Sequence, residues 1–172
     1  DNLVPTGRPQ LVALADQTVE PRNESPPDAV RIVIGTQPFP DTHRERFITD
    51  VLGAIEGMSV PVDVVIKIHP NESPTFYEES IAEQSYPVEI AEDGLHEYLA
   101  GADLAVTINS NVGLEAMVLG TAVACVTKWS PLIRARPYAT GGPVPVLRST
   151  DEIHAFFASI DDEMIAELTT SE

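Results

Sequence analysis

The chain has 172 residues, of which 43% are hydrophobic, and a formal net charge of −17 that comes from 27 acidic and 10 basic residues. This length and hydrophobic fraction are typical of one globular domain with a real core, and they exclude an intrinsically disordered chain. The acidic surface disfavours nucleic acid and anionic membranes as partners, and no apolar run reaches the roughly 18 residues that a transmembrane helix needs.

The acidic residues are spread along the chain, and Lys67 and Lys128 are the only lysines. Such a surface is typical of proteins adapted to high salt, where ions screen self-repulsion, so we expect a halophilic protein; the alternative is an ordinary acidic one. Cys125 is the single cysteine and lies in an apolar run, so we expect a buried structural thiol and a reducing, cytoplasmic location. Because the chain begins at Asp1 and not at methionine, we expect a piece of a longer protein.

In chain order, residues 1–28 are rich in proline and polar side chains, which predicts a connector with a helical turn at 11–14. A domain over 29–172 follows. Its β-branched and apolar runs predict six strands, at 29–34, 62–68, 88–91, 102–108, 121–127 and 144–147. Between them lie predicted helices at 42–57, 73–84, 95–100 and 112–119, and another follows the last strand. Thr42, Ser73 and Thr150 are the predicted helix caps.

Strands and helices that alternate in this way predict an α/β fold, a Rossmann-like parallel sheet of about six strands with helices on both faces. In such a sheet, ligands bind beyond the carboxyl ends of the strands, where the strand order reverses. Three polar loops, at 35–40, 67–72 and 109–113, follow predicted strands. We therefore expect these loops to converge on one edge of the sheet.

The turn after the fourth predicted strand is polar and leads directly into a helix. A helix that starts there aims its unpaired amides at one point, which favours an anion such as phosphate. Ser110 and Asn111 supply polar side chains, Gly113 allows close approach of the backbone, and Glu115 in the first helical turn is placed to bind a ribose diol. The alternative is an ordinary strand-to-helix turn that Ser110 or Asn111 caps.

Lys67 and His69 end the second predicted strand, two residues apart, so they are expected to point the same way, toward a diphosphate or phosphodiester. The alternative is a solvated strand end. The other histidines show no metal-ligand spacing, so we expect no metal site and no cofactor. Neither a nucleophile elbow nor a glycine-rich dinucleotide fingerprint is present, which disfavours a triad hydrolase and a nicotinamide enzyme.

These motifs together resemble the C-terminal, donor-binding domain of GT-B glycosyltransferases, in particular the capsule-polysaccharide, polysialyltransferase and CDP-glycerol glycerophosphotransferase-like groups. The resemblance rests on Lys-x-His-Pro at 67–70 and on the segments 99–104, 109–116 and 120–123, with 5–10 similar to the connector from the N-terminal domain. By resemblance, Lys67, His69, Ser110 and the amides at Asn111 and Gly113 contact the donor phosphate, and Glu115 binds the ribose. The family often has a second hydroxyl where this chain has Asn111.

The resemblance implies a nucleotide-activated sugar as donor and a glycan acceptor, held by an N-terminal domain that this chain lacks. That domain usually supplies the catalytic base, so no catalytic residue is assigned here and the chain alone is expected to be inactive. We expect a haloarchaeal source and a role in cell-surface polysaccharide or glycan synthesis. Two alternatives remain open: a domain of a non-hydrolysing UDP-N-acetylglucosamine 2-epimerase, and a non-catalytic relic of the same fold.

Overall fold

Six strands and six helices make up the part of the chain that the computed structural model describes, which is residues 8–22, 26, 28–128 and 144–161. The strands are β1 (Val30–Gly35), β2 (Val62–Lys67), β3 (Val88–Ala91), β4 (Leu104–Thr107), β5 (Ala122–Val126) and β6 (Val146–Leu147). The helices are α1 (Pro9–Ala15), α2 (Asp41–Ile55), α3 (Thr75–Ala82), α4 (Leu95–Ala100), α5 (Val112–Val118) and α6 (Thr150–Ala158).

The strands form one sheet in the order β3-β2-β1-β4-β5-β6, and every neighbouring pair is parallel. This confirms the predicted Rossmann-like sheet. The chain builds outward from β1 to β3 on one side and then returns to place β4 on the other side of β1. The strand order therefore reverses between β1 and β4, and the loops that follow these two strands flank the crevice in which such folds bind ligands.

Helices cover both faces of the sheet, as the nearly continuous apolar strands require. On one face, Phe47 of α2, Tyr77 of α3 and Phe157 of α6 pack on the central strands. On the other face, Leu99 of α4 and Ala116 of α5 pack on Val33, Val65 and Ala105. Cys125 is also buried in this second cluster, as predicted.

Several predicted element ends are displaced. Helix α2 begins one residue before Thr42, with Pro40 at the cap position, so the predicted capping box is wrong because Thr42 already lies inside the first turn. Helix α3 begins at Thr75 without a side-chain cap from Ser73. Helix α6 is capped by Ser149 and not by Thr150: Ser149 has an extended backbone, and its side chain accepts a hydrogen bond from Glu152 N at 3.1 Å.

The described part of the segment 1–28 packs on the domain. Helix α1 is longer than the predicted turn and contacts α5. Further on, the amide of Arg22 donates to Glu97 O at 3.0 Å, and the buried Arg31 side chain donates to Arg22 O. The division at residue 28 remains a prediction. Within the described ranges, no helix has the length and apolar character that a membrane crossing requires.

Candidate functional site

The predicted site residues follow β2 and β4, which lie on either side of β1. Gly35, the last residue of β1, is in register with Lys67 of β2 and with Thr107 of β4. Because the three strands are parallel, His69 and Ser110 emerge at the same edge of the sheet. Two inter-strand spacings, about 10 Å, separate β2 from β4, a span that a diphosphate group can bridge.

Hydrogen bonds join the three loops at this edge. The amide of Thr36 donates to Lys67 O at 3.1 Å, and the amide of His69 donates to Thr36 Oγ1 at 3.1 Å. On the other side, the amide of Asn109 donates to Gln37 Oε1 at 3.0 Å. The loop after β1 therefore bridges the loops after β2 and β4, which confirms the predicted convergence.

The imidazole of His69 is half-buried, and the turn that follows fixes its ring. Its Nδ1 accepts a hydrogen bond from the amide of Asn71 at 3.2 Å. A nitrogen that accepts carries no proton, so the hydrogen of the neutral ring lies on Nε2. His69 thus offers Nε2–H as a donor, the polarity that a phosphate oxygen requires.

A buried carboxylate lies beneath this turn. The side chain of Glu72 is only 1% exposed, and it accepts hydrogen bonds from the amide of His69 at 3.0 Å and from Thr36 Oγ1. It also accepts from Arg44 at 3.0 Å and from the hydroxyl of Tyr77 at 2.9 Å. Burial tends to lower the pKa of Arg44, but hydrogen bonds to Asp41, Tyr77 and Glu72 outweigh it, so this pKa lies above its ordinary value.

Lys67 is the last residue of β2, and main-chain carbonyls hold its ammonium; that it points the same way as His69 remains a prediction. The ammonium of Lys67 donates to Ile68 O at 3.0 Å and to Glu92 O at 2.6 Å, which joins the ends of β2 and β3. Burial lowers the pKa of Lys67, although the charges of Asp93 and Glu92 oppose the shift. Its contact with a phosphate remains a prediction.

The turn before α5 leaves fewer donors than the sequence predicted. Val112 N donates to Ser110 Oγ at 3.3 Å, and Gly113 N donates to Ser110 O at 3.3 Å, so the cap-like role expected of Ser110 is real. Asn111 occupies the cap position but makes no side-chain cap bond. Its amide has no acceptor within the part of the chain that the structure describes, so it is a main-chain donor that a ligand can use.

Glu115, the predicted ribose ligand, has a partner on the neighbouring helix. Its Oε2 lies 3.0 Å from His96 Nε2 of α4, and the two side chains are 24% and 40% exposed. A carboxylate accepts about two hydrogen bonds per oxygen, so Oε1 remains a possible acceptor for a diol while His96 holds Oε2.

Sequence reasoning missed two residues of this region, Glu72 and Arg8. The guanidinium of Arg8, just before α1, donates to Asn111 Oδ1 at 2.7 Å and brings positive charge to the start of α5. Glu72 could have been found from the sequence, because it lies three residues after His69 in the same turn. Arg8 could not, because it lies 103 residues from its partner Asn111.

A separate cleft of about 600 Å³ opens beside β3 and α4. Its lining is rich in carboxylates, among them Glu89, Glu92, Asp93 and Glu97, with Arg22 as the basic residue. Such a wall repels a phosphate. The cleft therefore does not coincide with the predicted phosphate site, even though Lys67 contacts Glu92 at its margin.

Comparison with solved structures supports the fold. A Listeria monocytogenes protein assigned as a UDP-N-acetylglucosamine 2-epimerase is 15% identical with a TM-score of 0.60, over 96% of this chain and 42% of that protein. The glycosyltransferase of kitacinnamycin is 16% identical with a TM-score of 0.56, over 85% and 39%. The Escherichia coli heptosyltransferase WaaC with ADP is 16% identical with a TM-score of 0.53, over 83% and 46%.

The chain thus has the Rossmann-like fold of GT-B glycosyltransferases and of this epimerase, and it spans less than half the length of each of these three structures. No protein-family model matches the sequence. No curated protein matches it either.

Proposed function

We propose that this chain is the donor-binding half of a GT-B glycosyltransferase that uses a nucleotide-activated sugar to build cell-surface polysaccharide or glycan. One observation carries the proposal: His69 and the turn at Ser110 and Asn111 lie at the same sheet edge, on either side of the point where the strand order reverses. Neighbours of the same fold are glycosyltransferases, and the heptosyltransferase structure contains ADP.

In this proposal the donor diphosphate or phosphodiester lies across the end of β1. The Nε2–H of His69 and the amide of Asn111 donate to it from opposite sides, and Arg8 adds a positive charge beside Asn111. Glu115 accepts from the ribose hydroxyls through the oxygen that His96 does not hold. Transfer forms a bond between an acceptor hydroxyl oxygen and the anomeric carbon, with the hydroxyl proton passing to the catalytic base, and breaks the bond between that carbon and the phosphate oxygen. Donors at the phosphate therefore stabilise the leaving group as its charge grows.

The other half of the reaction is assigned to an N-terminal domain, which holds the glycan acceptor and supplies the catalytic base. Residues 1–172 alone are therefore expected to bind nucleotide weakly and to catalyse no transfer. The charge of −17 and the lack of internal disulfide bonding support a cytoplasmic enzyme of a salt-adapted organism.

The test is a titration of the protein with CMP, UDP and GDP in molar KCl, followed by NMR. We expect amide shifts at His69, Asn71 and 109–113, and a dissociation constant that rises about tenfold in His69→Ala, the value of one hydrogen bond to a charged group. The control is His154→Ala, since His154 is exposed on α6. The proposal fails if no nucleotide shifts these amides at millimolar concentration, which is the result that a non-catalytic relic predicts.

A second candidate is a non-hydrolysing epimerase, which the similarity to the Listeria structure favours. It predicts that a form of the protein with both domains converts UDP-N-acetylglucosamine into its 2-epimer without any acceptor. A transferase instead consumes the donor only when an acceptor is present. Product analysis by NMR in the presence and absence of acceptor separates the two.

A further inference from the structure

We propose that Glu72 is a positioning residue, which holds the His69 turn in the orientation that presents Nε2–H to a ligand. This role of Glu72 follows from its hydrogen bonds alone. Only the expected effect on nucleotide affinity rests on the proposed function. The four hydrogen bonds of Glu72 divide evenly between its two oxygens.

The Oε2 atom of Glu72 binds the loops of the site, and the Oε1 atom binds the scaffold, by which we mean helices α2 and α3. Oε2 accepts from the amide of His69 and from Thr36 Oγ1, which itself accepts from the same amide. Oε1 accepts from Arg44 at 3.0 Å and from Tyr77 at 2.9 Å. These four donors fill the roughly four lone-pair positions of a carboxylate, so a side chain that is 1% exposed is fully hydrogen-bonded.

The scaffold side of this arrangement is held by further contacts. Arg44 lies over the ring of Phe76 at 4.0 Å and also pairs with Asp41 at 2.5 Å, while the side chain of Tyr77 is fully buried. Glu72 therefore transfers the fixed positions of α2 and α3 to the main chain at His69. The amide of Asn71 then fixes the ring through Nδ1, and this contact depends on the turn geometry that Glu72 holds, because residues 69–72 form one turn.

Only a carboxylate satisfies this site. In Glu72→Gln one oxygen becomes an amide group, which would face two donors whichever way it is turned, and Arg44 loses its buried counter-charge. Tyr77→Phe is the matched control, since it removes one bond from Oε1 and leaves both bonds of Oε2 to the site. A purely structural role for Glu72 predicts that neither variant changes the ring nitrogen shifts of His69.

The experiment measures the ring nitrogen shifts of His69 by NMR in the ligand-free protein, and then the dissociation constant for the nucleotide that binds best. In Glu72→Gln we expect the His69 nitrogens to move toward the average of the two tautomers and the dissociation constant to rise by up to the tenfold expected for His69→Ala. In Tyr77→Phe we expect the His69 shifts of the wild type and an affinity within twofold. Equal His69 shifts in both variants would overturn the inference.

Should Glu72→Gln fail to fold, Glu72→Asp carries the same test. It keeps the charge beside Arg44 but shortens the reach to His69 by one methylene group, so the tautomer shift is expected and its absence overturns the inference. The tautomer readout needs no ligand. A shift in His69 without any nucleotide binding by the wild type would therefore refute the proposed function and leave the role of Glu72 standing.

Discussion

A Cβ atom on Gly35 would lie 2.9 Å from Cγ1 of Val112, closer than real Cβ contacts occur. Gly35 ends β1 and Val112 begins α5, so the helix reaches the edge of the sheet only because residue 35 lacks a side chain. Close packing of helix on strand is one of the uses that Rossmann-like folds make of glycine near the phosphate turn. The contact sets how near the turn at Ser110 and Asn111 lies to β1.

We expect Gly35→Ala to lower the free energy of unfolding by about 1–3 kcal/mol, as overpacking does, and to weaken nucleotide binding by displacing the start of α5. Urea unfolding and the nucleotide titration measure the two effects. Gly53→Ala is the control: Gly53 is exposed in α2 with nothing within 4 Å of the added atom, so alanine should stabilise by about 0.5–1 kcal/mol. A Gly35→Ala protein as stable as the wild type would show that Val112 moves freely.

A backbone effect without crowding is expected at Gly120, just after α5. Its φ is +82°, and a Cβ there would meet nothing within 4 Å. Gly120→Ala should therefore cost about 1–2 kcal/mol through the left-handed backbone alone, and Gly120→Asn should cost less because asparagine tolerates this region. Thermal unfolding of the wild type and the two variants gives their order of stability. A Gly120→Ala protein as stable as Gly120→Asn would contradict this prediction.

Alkaline pH should destabilise the protein through Tyr77. Burial, and next the hydrogen bond and charge of Glu72, raise the pKa of Tyr77 to about 12 from an ordinary value near 10, although contacts with Thr36 and Arg44 oppose the shift. The folded state then keeps its phenolic proton where the unfolded state has lost it. The contribution to stability is full below pH 10 and is lost as pH rises from 10 to 12.

Urea unfolding between pH 9 and 12 measures this loss. Tyr77→Phe should reduce the slope of the free energy of unfolding against pH. Tyr86 provides the comparison, since burial and the charge of Glu56 also raise its pKa, and its hydroxyl donates to Leu52 O at 2.8 Å. Removing Tyr86 should flatten the slope further. A pH dependence that is identical in wild type and Tyr77→Phe would exclude Tyr77 as a cause.

Salt should stabilise the protein, because ions screen the repulsion within a chain of charge −17. Glu79 and Glu83 allow a local test: both are exposed, they lie four residues apart, and Glu83 caps the negative end of α3. Glu83→Gln removes a like-charge pair and an unfavourable charge at the helix end, so it should stabilise by a few tenths of a kcal/mol at 0.1 M KCl. At 2 M KCl the gain should vanish; a gain independent of salt would show another origin.

Local patterns in the sequence were enough to predict the sheet and the edge at which its polar loops meet. Runs such as Val64, Val65 and Ile66 have the β-branched, two-sided apolar character of a covered parallel strand, and parallel strands must all end at one edge. His69 and Ser110 were therefore predicted together without any knowledge of their distance. The exact helix starts were not predicted, because Thr42 and Ser149 are both residue types that favour a helix cap, but only Ser149 has the extended backbone of a cap while Thr42 lies inside its helix.

Tertiary structure alone decided which side chains hold one another at that edge. Lys67 contacts Glu92 O, Arg8 contacts Asn111, and Glu115 contacts His96, across separations of 25, 103 and 19 residues. The spacing of apolar residues predicts whether a position is buried or exposed, because burial depends on the face of its own helix or strand. It does not predict the hydrogen-bond partner of a side chain. A hydrogen bond between two elements depends on how closely those elements pack and on the direction in which each side chain leaves the backbone.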